Sequence, residues 1–175
     1  TSYVEGFYYK PRVDIDELKK YSDGIIALSA CLAGDISQAL MDRNYEKAKN
    51  IALQYRDIFG EGNFYLEIQD HGLPEQKEVN AALVKLSKEI NIPLVATNDI
   101  HYVNKEDSKI HDVLMCIQMG KTVNDPNRMR FGSDEFYLKS REEMEELFPY
   151  AHQALDNTIE IANRCNVEFD FNTYH

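Results

Sequence analysis

The chain has 175 residues, 43% of them apolar, and a formal net charge of −11 from 30 acidic against 19 basic side chains. That length holds one domain with a real core, and so acidic a surface repels phosphate backbones, which argues against a main nucleic-acid grip on this segment. No apolar run approaches the roughly 18 residues of a membrane span, and the opening TSYVEGFYYK lacks a signal peptide's hydrophobic stretch, so a soluble, cytoplasmic protein without membrane contact is expected.

Three widely spaced cysteines, Cys31, Cys116 and Cys165, suggest neither a disulfide framework nor a zinc knuckle. Thr1 to Arg12 is aromatic-rich (Tyr3, Phe7, Tyr8, Tyr9) and reads as the middle of a longer chain rather than a natural start. Asp14 can cap a short helix through Ile15, Leu18 and Lys19. Gly24 introduces residues 25–29, a buried-strand pattern that runs into a loop of small residues, Ala30 to Gly34, before a helix over 35–41. Cys31 in that loop is either a small buried hydrophobe or a ligand. Asn44 caps a longer helix to Phe59 with Ala48, Ile51, Ala52 and Tyr55 on one stripe, and Gly60 ends it.

The run NFYLEIQ (63–69) alternates enough to be a half-buried strand or one near an edge, and it ends in polar residues: Glu67, Asp70 and His71. His71 reads first as a structural hydrogen-bonding histidine and second as a ligand. Pro74 starts a helix to about Ile90 with Val79, Ala82, Leu83, Leu86 and Ile90 facing inward. PLVATNDIHY (93–102) follows, a short apolar strand that stops in Asn98, Asp99 and His101. Asp99 and His101 lie two apart, so an extended backbone projects both to one face. Such a pair can hold a divalent metal, assist proton transfer, or serve only as a strand-end hydrogen-bonding group.

Lys105 to Met119 reads as a helix on Ile110, Val113, Leu114 and Ile117, with His111 and Cys116 as packing residues and Gly120 as its close. The alternation of strands and helices implies an α/β fold with a parallel sheet and right-handed crossovers. From Lys121 the texture changes to a turn-rich connection with Arg128 and Arg130. Ser140 and Glu143 then form a capping box for a helix ending near Phe148, and a last helix runs from about Ala151 to Cys165 on Ala154, Leu155, Ile159 and Ala162. The tail VEFDFNTYH is expected to form a short strand; His152 and His175 carry no assigned role.

Cys31, and Asp99 together with His101, fall at or just beyond the carboxyl ends of two separate expected strands, where α/β barrels build their sites. A thiolate, a carboxylate and an imidazole suit zinc, or iron or manganese with fewer thiolates. A hydrolytic metal site of this kind lowers the pKa of a bound water and aims it at phosphorus. A full barrel of eight units takes about 250 residues, so three strands supply under half of one.

Five blocks in one order, GIIALSACLAGDI, FYLEIQDHGLPEQ, PLVATNDIHY, HDVLMCIQMGKT and DEFYLKSREEM, closely resemble the later part of the PHP (polymerase and histidinol phosphatase) domain of the alpha-subunit family of bacterial DNA polymerase III. The likeness runs from GFYYKPR to NTIEIANRCNVEF. It implies a segment of a distorted seven-stranded (β/α) barrel: about three parallel strands with flanking helices over 1–121, then a connection and C-terminal helices over 122–175 leading toward the polymerase palm. It also implies a metal site of zinc or manganese, to which Cys31 matches the family's cysteine ligand and Asp99 and His101 its final D-x-H. The family's early H-x-H and other ligands have no counterpart here.

The parent so implied is a DNA-directed DNA polymerase that uses magnesium in its palm and meets DNA and other replisome subunits. In some members the PHP domain is a metal-dependent 3′→5′ exonuclease, and in others a structural brace. The isolated segment is expected to be inactive and to self-associate through an exposed sheet edge. A purely scaffolding domain and a free-standing PHP phosphatase of small phosphate esters are the alternatives. The FYLKS block and trailing helices point away from the phosphatase, because they resemble the polymerase's connection to its palm.

Overall fold

In the computed structural model, which describes residues 1–172, the aromatic start forms a two-stranded antiparallel hairpin. Strand β1 (Phe7–Tyr8) pairs with β2 (Lys10–Pro11) around Tyr9, whose φ is 58°. Two compact units follow from the chain's contacts, Thr1–Glu67 with Glu78–Pro93, and Ile68–Lys77 with Leu94–His175. Each is taken by itself below.

In the first unit, the Asp14 carboxylate accepts from the Glu17 N–H and opens α1 (Ile15–Lys20), as its capping chemistry predicts. Strand β3 (Ala27–Leu28) is shorter than the expected strand over 25–29. The Ile25 N–H is drawn into a turn by the Ser22 carbonyl at 3.1 Å, and Ala30 turns the chain away at φ 63°. Ile25 and Leu28 are exposed rather than buried. Helix α2 (Asp35–Met41) packs on α3 (Tyr45–Phe59), where the fully buried Ala48 and Ala52 permit close approach. Asn44 caps α3 through the Lys47 N–H, and Gly60 ends it at φ 87°.

Strand β4 (Phe64–Ile68) is the middle of a three-stranded sheet, in the order β3, β4, then β5 (Leu94–Ala96), with β3 parallel to β4. All its residues except Glu67 are buried. The half-buried or edge character expected from its alternation is therefore corrected: a central strand of a parallel sheet is covered on both faces. Helix α4 (Pro74–Ile90) has the bounds its proline and periodicity predict, with Val79, Leu83 and Leu86 buried. The architecture is α/β, a partial barrel of three parallel strands with flanking helices.

In the second unit, a single helix over 105–119 was expected; a 3-10 turn, Lys105–Asp107, precedes α5 (Ser108–Met119) instead. Asn104 and Asp107 form a reciprocal capping box that holds that turn in the tighter geometry. Helix α5 is seated by His111, Asp112 and Cys116. Its apolar stripe, Ile110, Val113, Leu114 and Ile117, points outward, with Ile117 71% exposed. Periodicity finds such a stripe but does not say whether this chain covers it.

Gly120 ends α5 in the left-handed region. Helix α6 (Arg141–Leu147) starts at the expected Ser140–Glu143 box. Helix α7 (His152–Arg164) packs on β5 through Ala154 and Leu155, and Asn157 Nδ2 donates to the Leu94 carbonyl at 2.7 Å. Ile159 and Ala162, expected inward, are exposed. Residues 167–172 form no strand, and the last three residues of the expected tail strand, His175 among them, lie outside the described residues.

Two phenols in the first unit are held neutral. Burial, then a hydrogen bond to Glu89, pushes Tyr45 up to about 12; burial, then Asp35, does the same for Tyr55. Raised folded values mean stabilisation fully present below the unfolded phenol's pKa of about 10 and lost as pH rises through about 12. A phenolate absorbance titration of the 11 tyrosines is expected to show a late-titrating fraction that vanishes in denaturant. A single transition near the free-phenol value in native protein would contradict this.

Candidate functional site

The sheet hydrogen bonding of β5 ends where the Thr97 N–H donates to the Ile68 carbonyl at 3.1 Å, and the polar residues begin there. Asn98 Nδ2 donates to the Tyr137 carbonyl at 2.9 Å. Asp99 then adopts φ 43°, a left-handed conformation that aspartate tolerates better than most residues. This departs from the extended backbone assumed for the D-x-H, yet the two side chains remain neighbours. His101 Nδ1 lies 2.9 Å from the Asp99 main-chain carbonyl and 3.9 Å from Asp99 Oδ1. A carbonyl only accepts, so Nδ1 carries a proton, and in the neutral ring Nε2 then holds the lone pair, the tautomer in which imidazole ligates a metal through Nε2. Both side chains are about one-third exposed.

Most residues around this pair come from the turn-rich connection, in which sequence reading named no site residue, and His111 comes from α5. The Phe136 carbonyl accepts from the His101 N–H at 2.8 Å, and Tyr102 and Tyr137 form a parallel bridge. The His101 ring meets Phe131 edge-on at 4.7 Å, Phe136 at 5.4 Å and His111 at 5.6 Å. A bidentate ion pair between Asp112 and Arg128, whose side chain is 4% exposed, fastens the connection to α5. Arg128 holds the Asp112 carboxyl below its usual range.

Beyond Phe136, Lys105 binds Glu135 and depresses its carboxyl, while burial lowers the Lys139 ammonium. A hydrogen bond to Glu143, then burial, pushes Tyr137 up to about 12. A cleft of about 260 Å³ opens beside this cluster, lined by His111, Arg128, Arg130, Phe131 and Asp134 among others.

His71 lies at the heart of the second unit, 1% exposed. Gln76 grips it at two points. Its Oε1 accepts from the His71 N–H at 2.7 Å, and its Nε2 donates to His71 Nδ1 at 2.8 Å. Nδ1 is therefore the acceptor, and the protonated Nε2 donates to the Asn98 carbonyl at 2.9 Å. Both nitrogens are engaged within the protein, which answers the structural side of the alternative posed by the sequence.

Cys31 belongs to the first unit and is exposed, not a buried hydrophobe. Its loop is held from β4. The Ala30 N–H donates to Glu67 Oε2 at 3.0 Å, the Glu67 N–H donates to Ser29 Oγ at 2.8 Å, and the Gly34 N–H donates to the Cys31 carbonyl at 2.9 Å. A methyl group on Gly34 would run into the Ser29 carbonyl, so glycine is required there. Asp99 and His101 thus come together as expected. Among the described residues, no group of three or more histidine, cysteine, aspartate or glutamate side chains is arranged to hold a metal ion. The donor chemistry fits a divalent metal at two positions and stops short of a complete set. Sequence reading missed the roles of Gln76, Phe136 and Glu67; their partners are distant in sequence or aperiodic, and only the spacing of five between His71 and Gln76 offered a signal.

Residues 1–71 match the PHP domain family. The chain is 48% identical over 166 residues to the DNA polymerase III subunit alpha of Treponema pallidum, covering 95% of this chain and 14% of that protein. It is 47% identical over 169 residues to that of Deinococcus radiodurans (95% and 13%), and 45% identical over 170 residues to that of Thermus aquaticus (95% and 14%). It therefore spans only a small part of the length of these curated relatives. Residues 1–71 thus match the PHP domain family, and the chain as a whole is similar to one segment of these DNA polymerase III alpha subunits.

Proposed function

We propose that this chain is a segment of a bacterial replicative polymerase, a DNA-directed DNA polymerase whose magnesium-dependent palm lies outside it. Residues 1–121 form the C-terminal part of its PHP domain, and 122–175 the connection and helices leading toward the palm. The observation that carries this reading is similarity over 95% of the chain to proteins named DNA polymerase III subunit alpha. The same names weigh against a free-standing phosphatase of small esters. DNA and other replisome subunits are then the parent's partners, in the cytoplasm. Among the described residues, no helix is long and apolar enough to cross a membrane.

Within the parent, Asp99, His101 and Cys31 serve as ligands to a divalent metal, zinc or manganese, whose remaining donors lie outside this chain. The D-x-H supports this by its neighbouring carboxylate and by the engagement of His101 Nδ1 with the Asp99 carbonyl, which leaves Nε2 as the ligating nitrogen. When bound, the metal supplies a water of lowered pKa for phosphodiester cleavage of the 3′→5′ exonuclease type. The second reading, a PHP domain that only braces the polymerase, is favoured by the lack of a third donor beside Asp99 and His101 among the described residues.

The isolated chain is expected to bind zinc far more weakly than a complete structural site, to lose that binding in Asp99→Ala, and to cleave no DNA. Calorimetric zinc titration and a nuclease assay check this. Tight stoichiometric binding, or cleavage lost on His101→Ala, would overturn the incomplete-site reading. Reading frame on both sides of the segment separates the hypotheses. Upstream H-x-H ligands and a long polymerase region fit the proposal, a polymerase without those ligands fits the brace, and an early stop fits the phosphatase.

A further inference from the structure

We infer that His71 is a positioning residue for the Asp99–His101 pair, an inference that rests on the reading of that pair as metal ligands. The ring acts on both members. Through Nε2 it holds the Asn98 carbonyl at 2.9 Å, and that carbonyl belongs to the peptide whose nitrogen is Asp99's. Fixing the peptide plane restricts the rotation that places Asp99 at φ 43°. Through its face, the ring stacks on Phe136 at 4.0 Å between centroids and 9° between planes. Phe136 in turn accepts the His101 N–H with its carbonyl at 2.8 Å and meets the His101 ring edge-on.

One buried side chain therefore grips the backbone before the carboxylate and the aromatic support beneath the imidazole. Gln76, itself buried, removes the ring's remaining freedom by binding Nδ1 and the His71 N–H together. Outer partners of this kind orient ligands and tune affinity without touching the metal.

The test is a zinc titration of the whole chain followed by NMR at the His101 ring, with Phe148→Leu as a control that weakens the same unit's core at the turn between α6 and α7. His71→Phe keeps the stack on Phe136 and removes both hydrogen bonds. It is expected to need about ten-fold more zinc for half the His101 shift, while the control stays within about two-fold of wild type. A folded His71→Phe that titrates like wild type overturns the inference. If His71→Phe does not fold, Gln76→Met, which frees the ring and leaves it in place, is judged by the same criteria.

Should wild-type His101 not respond to zinc at all, the metal reading fails, and the positioning role is decided without metal. Backbone shifts of Asp99 and His101 that move in His71→Phe and not in the control sustain it. Shifts that stay put refute it.

Discussion

Replacing Phe148 with alanine is expected to destabilise the second unit by about 3–5 kcal/mol, the range for removing a fully buried aromatic ring. Phe148 is 0% exposed and sits at the turn that joins α6 to α7. Its N–H donates to the Met144 carbonyl, and its own carbonyl accepts from the Ala151 N–H, both at 3.0 Å. The backbone is thus fixed from both sides and cannot collapse easily into the space the ring leaves, which places the cost toward the upper part of the range. Urea unfolding of Phe148→Ala against Tyr150→Ala is the measurement. Tyr150 is largely exposed two residues away, and its loss is expected to stay within about 0.5 kcal/mol. Equal losses in the two variants would mean that the ring does not anchor the turn.

Leu66→Ala is expected to cost about 2–5 kcal/mol, the span for truncating a buried leucine. The side chain is fully buried in the central strand, and the Leu66 N–H donates to the Pro93 carbonyl at 2.9 Å. A strand hydrogen-bonded along both edges has little room to shift, so the cavity persists. The functional consequence lies one residue on: Glu67 reaches from this strand to the loop of Cys31. Leu66→Ala should therefore raise the thiol's reaction rate with a disulfide reagent as the loop loosens. An unchanged rate alongside a full loss of stability would separate the loop from the strand beneath it.

Helix boundaries were legible because their signals are local. Asp14, Asn44, Pro74, Gly120 and the Ser140–Glu143 box act within one turn of where they stand, and each starts or ends the helix it was expected to. The three strands of the parallel sheet were located correctly, but the opening hairpin was not foreseen, the tail strand is absent over 167–172, and the character of β3 and β4 was misjudged. Neither the brevity of β3 nor the two-faced burial of β4 is fixed by the strand's own residues; both depend on what lies beside it. Exposure on α5 and on the later turns of α7 escaped for the same reason, since an apolar stripe does not say what will cover it.

At the site, the D-x-H was visible as residue types at a spacing. Its supports were not, because His71 and Phe136 reach it across gaps of 27 residues and more, Gln76 acts on it only through His71, and part of the linkage runs through main-chain atoms that no side-chain pattern encodes.

The choice of a main-chain carbonyl to receive the His101 proton has a genetic consequence. That oxygen is present whatever side chain stands at 99, so a mutation there strips away a carboxylate without scrambling the imidazole's tautomer. Loss at 99 and loss at 101 are then separable events. A lineage in which only the loss at 99 has occurred would retain a histidine still oriented as it was, and a single reversion at 99 would restore the pair.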